Sequence, residues 1–172
     1  MTRRAWAALA IALVSCLALG AILGVMWERL APRVELFVAA DGKAYPQTFQ
    51  PEGYMTDDGI AAALCLVGGL IVGVLTVVVL RRVRSDRDHA LRASLLVAVP
   101  LGVVGAAAMW FVGTRLGGFD LAQALAQYSD GDTLSAPLRL RMPGVLVLWP
   151  AMSALVVFAV ALGAWVRDRS ES

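Results

Sequence analysis

The sequence predicts an all-α membrane protein in which four transmembrane helices form two hairpins, with a small extracytoplasmic cap that holds a two-stranded β element. The chain is 59% hydrophobic and only 16% charged, a balance typical of polytopic membrane proteins rather than soluble domains. Charged residues are also absent from four runs, each 21 to 23 residues long. About 20 apolar residues are enough for an α-helix to cross a bilayer.

The third observation is a basic hinge at residues 81–92, between the second and third runs. Its five arginines are Arg81, Arg82, Arg84, Arg87 and Arg92. Lys and Arg beside membrane helices are enriched on the cytoplasmic side. We therefore expect a protein of the cytoplasmic membrane with this hinge and both termini in the cytoplasm. The arginines either set the topology only or also bind lipid headgroups, since each contributes about 1 kcal/mol near an anionic surface.

The four runs divide a single membrane domain, residues 1–172, into helices and loops. We predict helices at residues 5–27, 60–80, 93–113 and 144–166, and outer loops at residues 28–59 and 114–143. The first run is too long for the apolar core of a signal peptide, so it is interpreted as a helix. The five tryptophans all fall near predicted helix ends, which fits the preference of tryptophan for the membrane interface.

Small residues predict where the helices approach one another. Gly20 and Gly24 are four residues apart in the first helix, as are Gly69 and Gly73 in the second, and this spacing lets backbones come close. Pro100 should kink the third helix because it removes a backbone hydrogen bond. Packing within the bundle is the ordinary interpretation of these residues; a dimer contact and a gating kink are the alternatives.

Two segments of the outer loops are predicted to pair as strands and form the cap. The first is rich in β-forming residues and the second alternates strictly between apolar and charged residues. The segments are Val34, Glu35, Leu36, Phe37 and Val38, and Leu138, Arg139, Leu140, Arg141 and Met142. Their pairing would bring Arg139 or Arg141 near Glu35, and Phe37 and Leu140 should carry most of the apolar stabilisation.

The remaining loop signals are turns and caps. Asp41-Gly42 is typical of a tight turn, and residues 56–58 are predicted to be the capped, acid-rich first turn of the second helix rather than a cation site. Asp120 is predicted to cap an amphipathic segment that can lie on the membrane surface. Residues 129–132 are interpreted as a solvated turn, because a calcium loop would need further oxygen ligands and a closing glutamate.

No catalytic, cofactor or metal site is predicted. The four runs contain no ionisable acid, base or histidine, whereas proton-coupled transporters and pumps usually need one within the membrane. Cys16 and Cys65 are predicted to be inert buried thiols on different helices, and His89 is the only histidine. The basic hinge is too short, and lacks the aromatics, for nucleic-acid binding. The expected partners are the lipid bilayer and a membrane or envelope protein, with the oligomeric state left open.

Several short motifs carry a resemblance to a known family. They are Ala31-Pro32, Asp41-Gly42, Asp57-Asp58-Gly59 before the glycine-rich second helix, and Leu148-Trp149-Pro150 in the fourth. With them the chain resembles a family of four-helix integral membrane proteins from actinobacteria, a domain of unknown function, over nearly its whole length. The resemblance implies a multi-pass membrane protein and brings no activity or site residues with it.

Three functions remain open at this point. The leading hypothesis is a non-catalytic accessory or assembly subunit of a cell-envelope complex. The second is a small channel or lipid-handling permease whose moving parts are the Pro100 kink and the glycine faces. The third is an envelope enzyme that uses outer-loop carboxylates, and its candidates are Asp41, Asp57, Asp58, Asp130 and Asp132.

Overall fold

The computed structural model describes residues 3–46, 51–83 and 87–170, and the molecule is 76% helical. The helices are α1 (Arg3–Leu30), α2 (Pro51–Val83), α3 (Arg87–Gly117), α4 (Leu121–Leu125) and α5 (Leu148–Ser170), with a 3-10 helix at Pro143–Val147. The strands are β1 (Glu35–Val38), β2 (Ala44–Pro46) and β3 (Thr133–Ser135). Four helices are long and apolar enough to cross a membrane, by length and composition.

The long helices extend beyond the apolar runs that predict them. Helix α2 begins at Pro51 instead of residue 60, and α3 ends at Gly117 instead of residue 113. Charged residues end an apolar run without ending a helix, because Arg and Glu are good helix formers. The hinge predicted at residues 81–92 is accordingly helical on both sides, and only residues 84–86, with Arg84, lie outside the described residues.

Consecutive long helices run in opposite directions, yet the closest packing joins parallel ones. The most extensive helix contacts are those of α1 with α3 and of α2 with α5. The thiol of Cys16 donates a hydrogen bond to the carbonyl oxygen of Leu101 at 2.9 Å, and the hydroxyl of Ser153 donates one to Gly69 at 3.0 Å. The predicted hairpins therefore describe the connectivity, while the packing units are the pairs α1/α3 and α2/α5.

Glycines lie where these parallel helices meet. A side chain at Gly20 would overlap the carbonyl oxygen of Gly105, and a Cβ at Gly24 would lie 2.6 Å from that of Met109. In the other pair, a Cβ at Gly73 would lie 2.9 Å from the Cβ of Val156. All three contacts lie inside the bundle. Helix α3 continues through Pro100, so any bend there stays a prediction.

The cap, residues 31–46 and 118–142, contains a three-stranded antiparallel sheet in the order β2-β1-β3. In β1, Leu36 lies opposite Leu134 of β3 and Pro46 of β2. The two outer loops are joined as expected, but the predicted partner of β1 was wrong. Leu138, Arg139, Leu140 and Arg141 form no strand. The backbone N–H of Leu138 bonds instead to Gly117 of α3, and that of Arg141 to Asp58 of α2.

The buried face of β1 is also opposite to the predicted one, which was expected to contain Phe37. Leu36, Val38 and Leu134 form a small core, against which Leu121 and Leu125 of α4 pack. Phe37 is 37% exposed on the opposite face, because successive strand residues point to opposite sides. The amphipathic segment capped by Asp120, whose carboxylate accepts the backbone N–H of Ala122 at 2.9 Å, therefore covers the sheet.

Two tryptophans lie in the core and not at helix ends on the surface. Trp27 and Trp149 are fully buried, whereas Trp6, Trp110 and Trp165 are exposed. The indole of Trp149 occupies a slot where a Cβ on Gly68 or Gly105 would lie 2.6 Å from its ring. Helix α5 thus begins level with the middle of α2, and the five-residue 3-10 helix at Pro143–Val147 precedes it on the cap side.

Candidate functional site

The junction between cap and bundle is centred on the buried carboxylate of Asp58, which is 5% exposed. Its two oxygens accept the backbone N–H groups of Arg141 at 3.2 Å and Met142 at 2.9 Å. These groups immediately precede the 3-10 helix that leads into α5. The first N–H groups of a helix lack intrahelical acceptors and form the positive end of its dipole, so Asp58 caps this helix from α2.

This role differs from the predicted one. Asp57 and Asp58 are the seventh and eighth residues of α2, which begins at Pro51, so they do not form its first turn. The carbonyl oxygen of Asp57 accepts a hydrogen bond from the indole nitrogen of Trp27 at 2.9 Å. Its side chain is 8% exposed, and Oδ1 has no hydrogen-bond partner among the described residues.

A second fastening point lies at the cap end of α3. The carbonyl oxygen of Gly117 accepts the backbone N–H of Leu138 at 2.8 Å and Nη1 of Arg33 at 3.4 Å. Arg33 also forms an ion pair with Glu28 of α1, with an N–O distance of 2.6 Å. Helix C-termini present unsatisfied carbonyls and a partial negative charge. Arg33 therefore links the ends of α1 and α3, whereas the sequence-based expectation paired a cap arginine with Glu35.

The segment from Leu138 to Met142 is thus held at both ends by the bundle. Leu138 packs on Gly117, where a Cβ would lie 2.8 Å from the Leu138 Cβ, and Met142 is held by Asp58. Backbone groups that find partners in two different helices, α2 and α3, restrict motion of the cap relative to those helices. The arrangement can present a rigid surface.

That surface includes the open face of the sheet. Phe37 of β1 lies directly opposite Tyr45 of β2, and Tyr45 is 47% exposed. The Tyr45 hydroxyl donates a hydrogen bond to Asp41 at 2.9 Å, which raises the pKa of Tyr45 because the carboxylate stabilises the protonated phenol. The prediction missed Tyr45, although Ala44-Tyr45-Pro46 follows the Asp41-Gly42 turn at hairpin spacing.

The five carboxylates considered for an enzyme divide between the junction and two turns at the Val38 end of β1. Asp41 lies in the β1–β2 turn, where it accepts the backbone N–H of Lys43 at 3.1 Å. Asp132 accepts the backbone N–H of Ser129 at 2.7 Å in the turn before β3, which also contains Asp130. Asp57 and Asp58 belong to the junction. Within the described ranges, no group of three or more His, Cys, Asp or Glu side chains could hold a metal ion.

The other end of the bundle is basic. Helices α1 and α3 begin there and α2 and α5 end there, so their terminal arginines share one end. The exposed ones are Arg3, Arg81, Arg82, Arg92, Arg167 and Arg169. The guanidinium of Arg169 lies 4.0 Å from the ring centroid of Trp165. Arg87 lies in α3, but its side chain and Arg84 fall outside the described residues.

Both thiols are buried and free, as expected from the sequence. The Cys65 sulfur lies 4.0 Å from the sulfur of Met109 on α3. The Cys16 thiol contacts Leu101, which lies about two turns before Met109 on the same helix.

Comparison with known proteins gives no assignment. The chain matches no protein-family model, no curated protein and no solved structure. The resemblance to an actinobacterial four-helix family therefore stays a prediction drawn from the sequence.

Proposed function

We propose that this chain is a non-catalytic, multi-pass protein of the cytoplasmic membrane that acts as an accessory or assembly subunit of a cell-envelope complex. In this proposal both termini and the basic end are cytoplasmic, and the cap binds a membrane or envelope protein outside. The observation that carries it is a rigidly fastened cap whose open sheet face presents the aromatic pair Phe37 and Tyr45.

Membrane insertion is supported by what the long helices expose. Large apolar side chains such as Ile11, Leu96 and Phe158 are more than half exposed on their surfaces. Contiguous apolar surface of this kind is unfavourable in water and favourable against lipid. The arginines gathered at one end support the proposed orientation, since positive charge near membrane helices favours the cytoplasmic side.

A protein partner is supported by the chemistry of the open sheet face. Aromatic side chains are enriched at the centres of interfaces, where they bury a large area with few rotatable bonds. Phe37 and Tyr45 are adjacent and exposed while the other side of the sheet packs on α4. Because the junction already orders the cap, a partner would lose less free energy to ordering it on binding.

The two alternatives gain less from the structure. A pore needs a polar path, but the slot between α2, α3 and α5 is filled by Trp149. The buried hydroxyls of Thr76 and Ser153 donate to the backbone carbonyls of Val72 and Gly69, so they are already partnered. Catalysis by outer carboxylates would need Asp41, Asp130 or Asp132 to meet in a pocket, and they lie in exposed turns.

The test is affinity purification of tagged full-length chain in mild detergent, followed by mass spectrometry of stoichiometric partners. The Phe37→Ser/Tyr45→Ser double variant should lose the partner that the wild type retains. Tyr128→Ser is the matched control, since Tyr128 is 41% exposed and follows α4 on the other side of the sheet. Recovery of the wild type alone, or equal loss in the control, would contradict the proposed interface.

A further inference from the structure

A groove runs along the cap end of α3, on the surface of the bundle. One wall is formed by Trp110, Thr114 and Gly118, which are four residues apart and so share one helix face. At a rise of about 1.5 Å per residue this wall is roughly 12 Å long. Arg139 and Leu140 form the facing wall, and the cavity volume is about 320 Å³, comparable with small ligand pockets of roughly 300 Å³ or more.

At its cap end the groove is lined by the charged side chain of Arg139 together with Phe119, and toward the bundle it is lined by Trp110. The facing wall starts at Leu138, whose backbone N–H bonds to Gly117 at the end of α3. It then continues to Met142, whose backbone N–H bonds to Asp58 of α2. Arg139 therefore lies near the Gly118 end of the groove, and Trp110 lies at the opposite end, beside the exposed apolar surface of α3.

Arg139 provides an available positive charge. Its side chain is exposed, and it takes part in none of the ion pairs between described residues. A guanidinium binds a phosphate oxygen pair with two parallel hydrogen bonds. Trp110, at the opposite end of the groove, is 45% exposed. Tryptophan favours the level of the headgroups and upper acyl chains in a membrane.

We propose that this groove binds one anionic glycerophospholipid of the outer leaflet. The Arg139 guanidinium pairs with the phosphodiester, and the first part of an acyl chain lies against Thr114 and Trp110. The order of charge and apolar surface along the groove matches the order within a lipid molecule standing along the helix axis. This inference rests on the membrane insertion and orientation proposed above, and it assigns the groove a ligand different from the protein partner of the sheet.

The test is native mass spectrometry of the delipidated full-length protein in detergent, titrated with dioleoylphosphatidylglycerol or dioleoylphosphatidylcholine. The wild type should bind phosphatidylglycerol more tightly. Arg139→Gln should weaken that binding about five-fold, the equivalent of one arginine contact near a headgroup, and Arg139→Lys should restore most of it. Arg115→Gln is the control, because Arg115 is exposed at the same end of α3 but lies over Phe111, 5.0 Å from the ring centroid.

Thr114→Phe should fill the groove and weaken binding of both lipids, with circular dichroism melting used to verify that the bundle remains folded. Equal affinity of wild type and Arg139→Gln for phosphatidylglycerol would overturn the groove site. An equal loss in Arg115→Gln would overturn it too, by showing attraction to surface charge only. Release of the chain from membranes by alkaline carbonate would instead contradict the insertion in the proposed function, so the two failures are distinguishable.

Discussion

Replacing Asp58 with alanine tests whether the cap is fastened to the bundle through this carboxylate. The change removes two hydrogen bonds that backbone N–H groups donate to a charged acceptor. Each such bond contributes about 1.5 kcal/mol at the lower end of the measured range. Alanine regains about 0.6 kcal/mol through its higher helix propensity inside α2. The free energy of unfolding should therefore fall by about 2 kcal/mol.

Asp58→Asn should lose about half as much, because the amide oxygen can still accept one N–H group while the NH₂ group cannot. The matched control is Asp41→Ala, since Asp41 also accepts two hydrogen bonds but lies in an exposed turn. Water replaces its partners there, so a loss below about 1 kcal/mol is expected.

Two measurements are needed, one global and one local. Unfolding of the detergent-solubilised protein by sodium dodecyl sulfate, followed by circular dichroism, gives the change in free energy. Hydrogen exchange at Met142 reports the N–H group that Asp58 holds, and Asp58→Ala should abolish its protection while leaving α1 unchanged. A stability loss no larger than that of Asp41→Ala, with Met142 still protected, would refute the capping role.

Two further predictions concern the sheet and the orientation. Leu36→Asp should unfold the cap and expose it to limited proteolysis, because it places a charge in the core beneath β1, whereas Phe37→Asp on the open face should leave the cleavage pattern unchanged. In intact cells an impermeant maleimide should label Lys43→Cys but not Ser170→Cys; the wild type should stay unlabelled because both native thiols are buried. The reverse pattern of labelling would contradict the proposed orientation.

The four long helices could be predicted because hydropathy and length alone determine them. Their ends could not, because the residues that fix them act across the chain. Asp57 and Asp58 follow a proline-containing loop and precede an apolar run, a pattern that indicates a first turn. The acceptor role of Asp58 depends on N–H groups 83 and 84 residues away, and no local pattern contains that information.

The strand predictions show which part of a periodic pattern is informative. Leu138 to Met142 alternates, and the structure indeed buries Leu138 and exposes Arg139 and Arg141. Alternation predicts an extended segment with one buried face, but it does not say which groups bond the backbone. Here α2 and α3 supply those groups, so β1 pairs with Thr133–Ser135 instead. Glycine spacing was more informative, because close backbone approach depends only on the missing side chain.

The position of Trp149 connects the cap to the centre of the bundle. Trp149, in its slot between Gly68 and Gly105, lies only 14 positions after Ser135, the last residue of β3. The intervening chain is held by Asp58 and continues as a 3-10 helix into α5. A force on the cap therefore acts on the start of α5 through a short, hydrogen-bonded segment. Because packed cores resist continuous deformation, a partner bound to the sheet would be held in fixed register with the four helices.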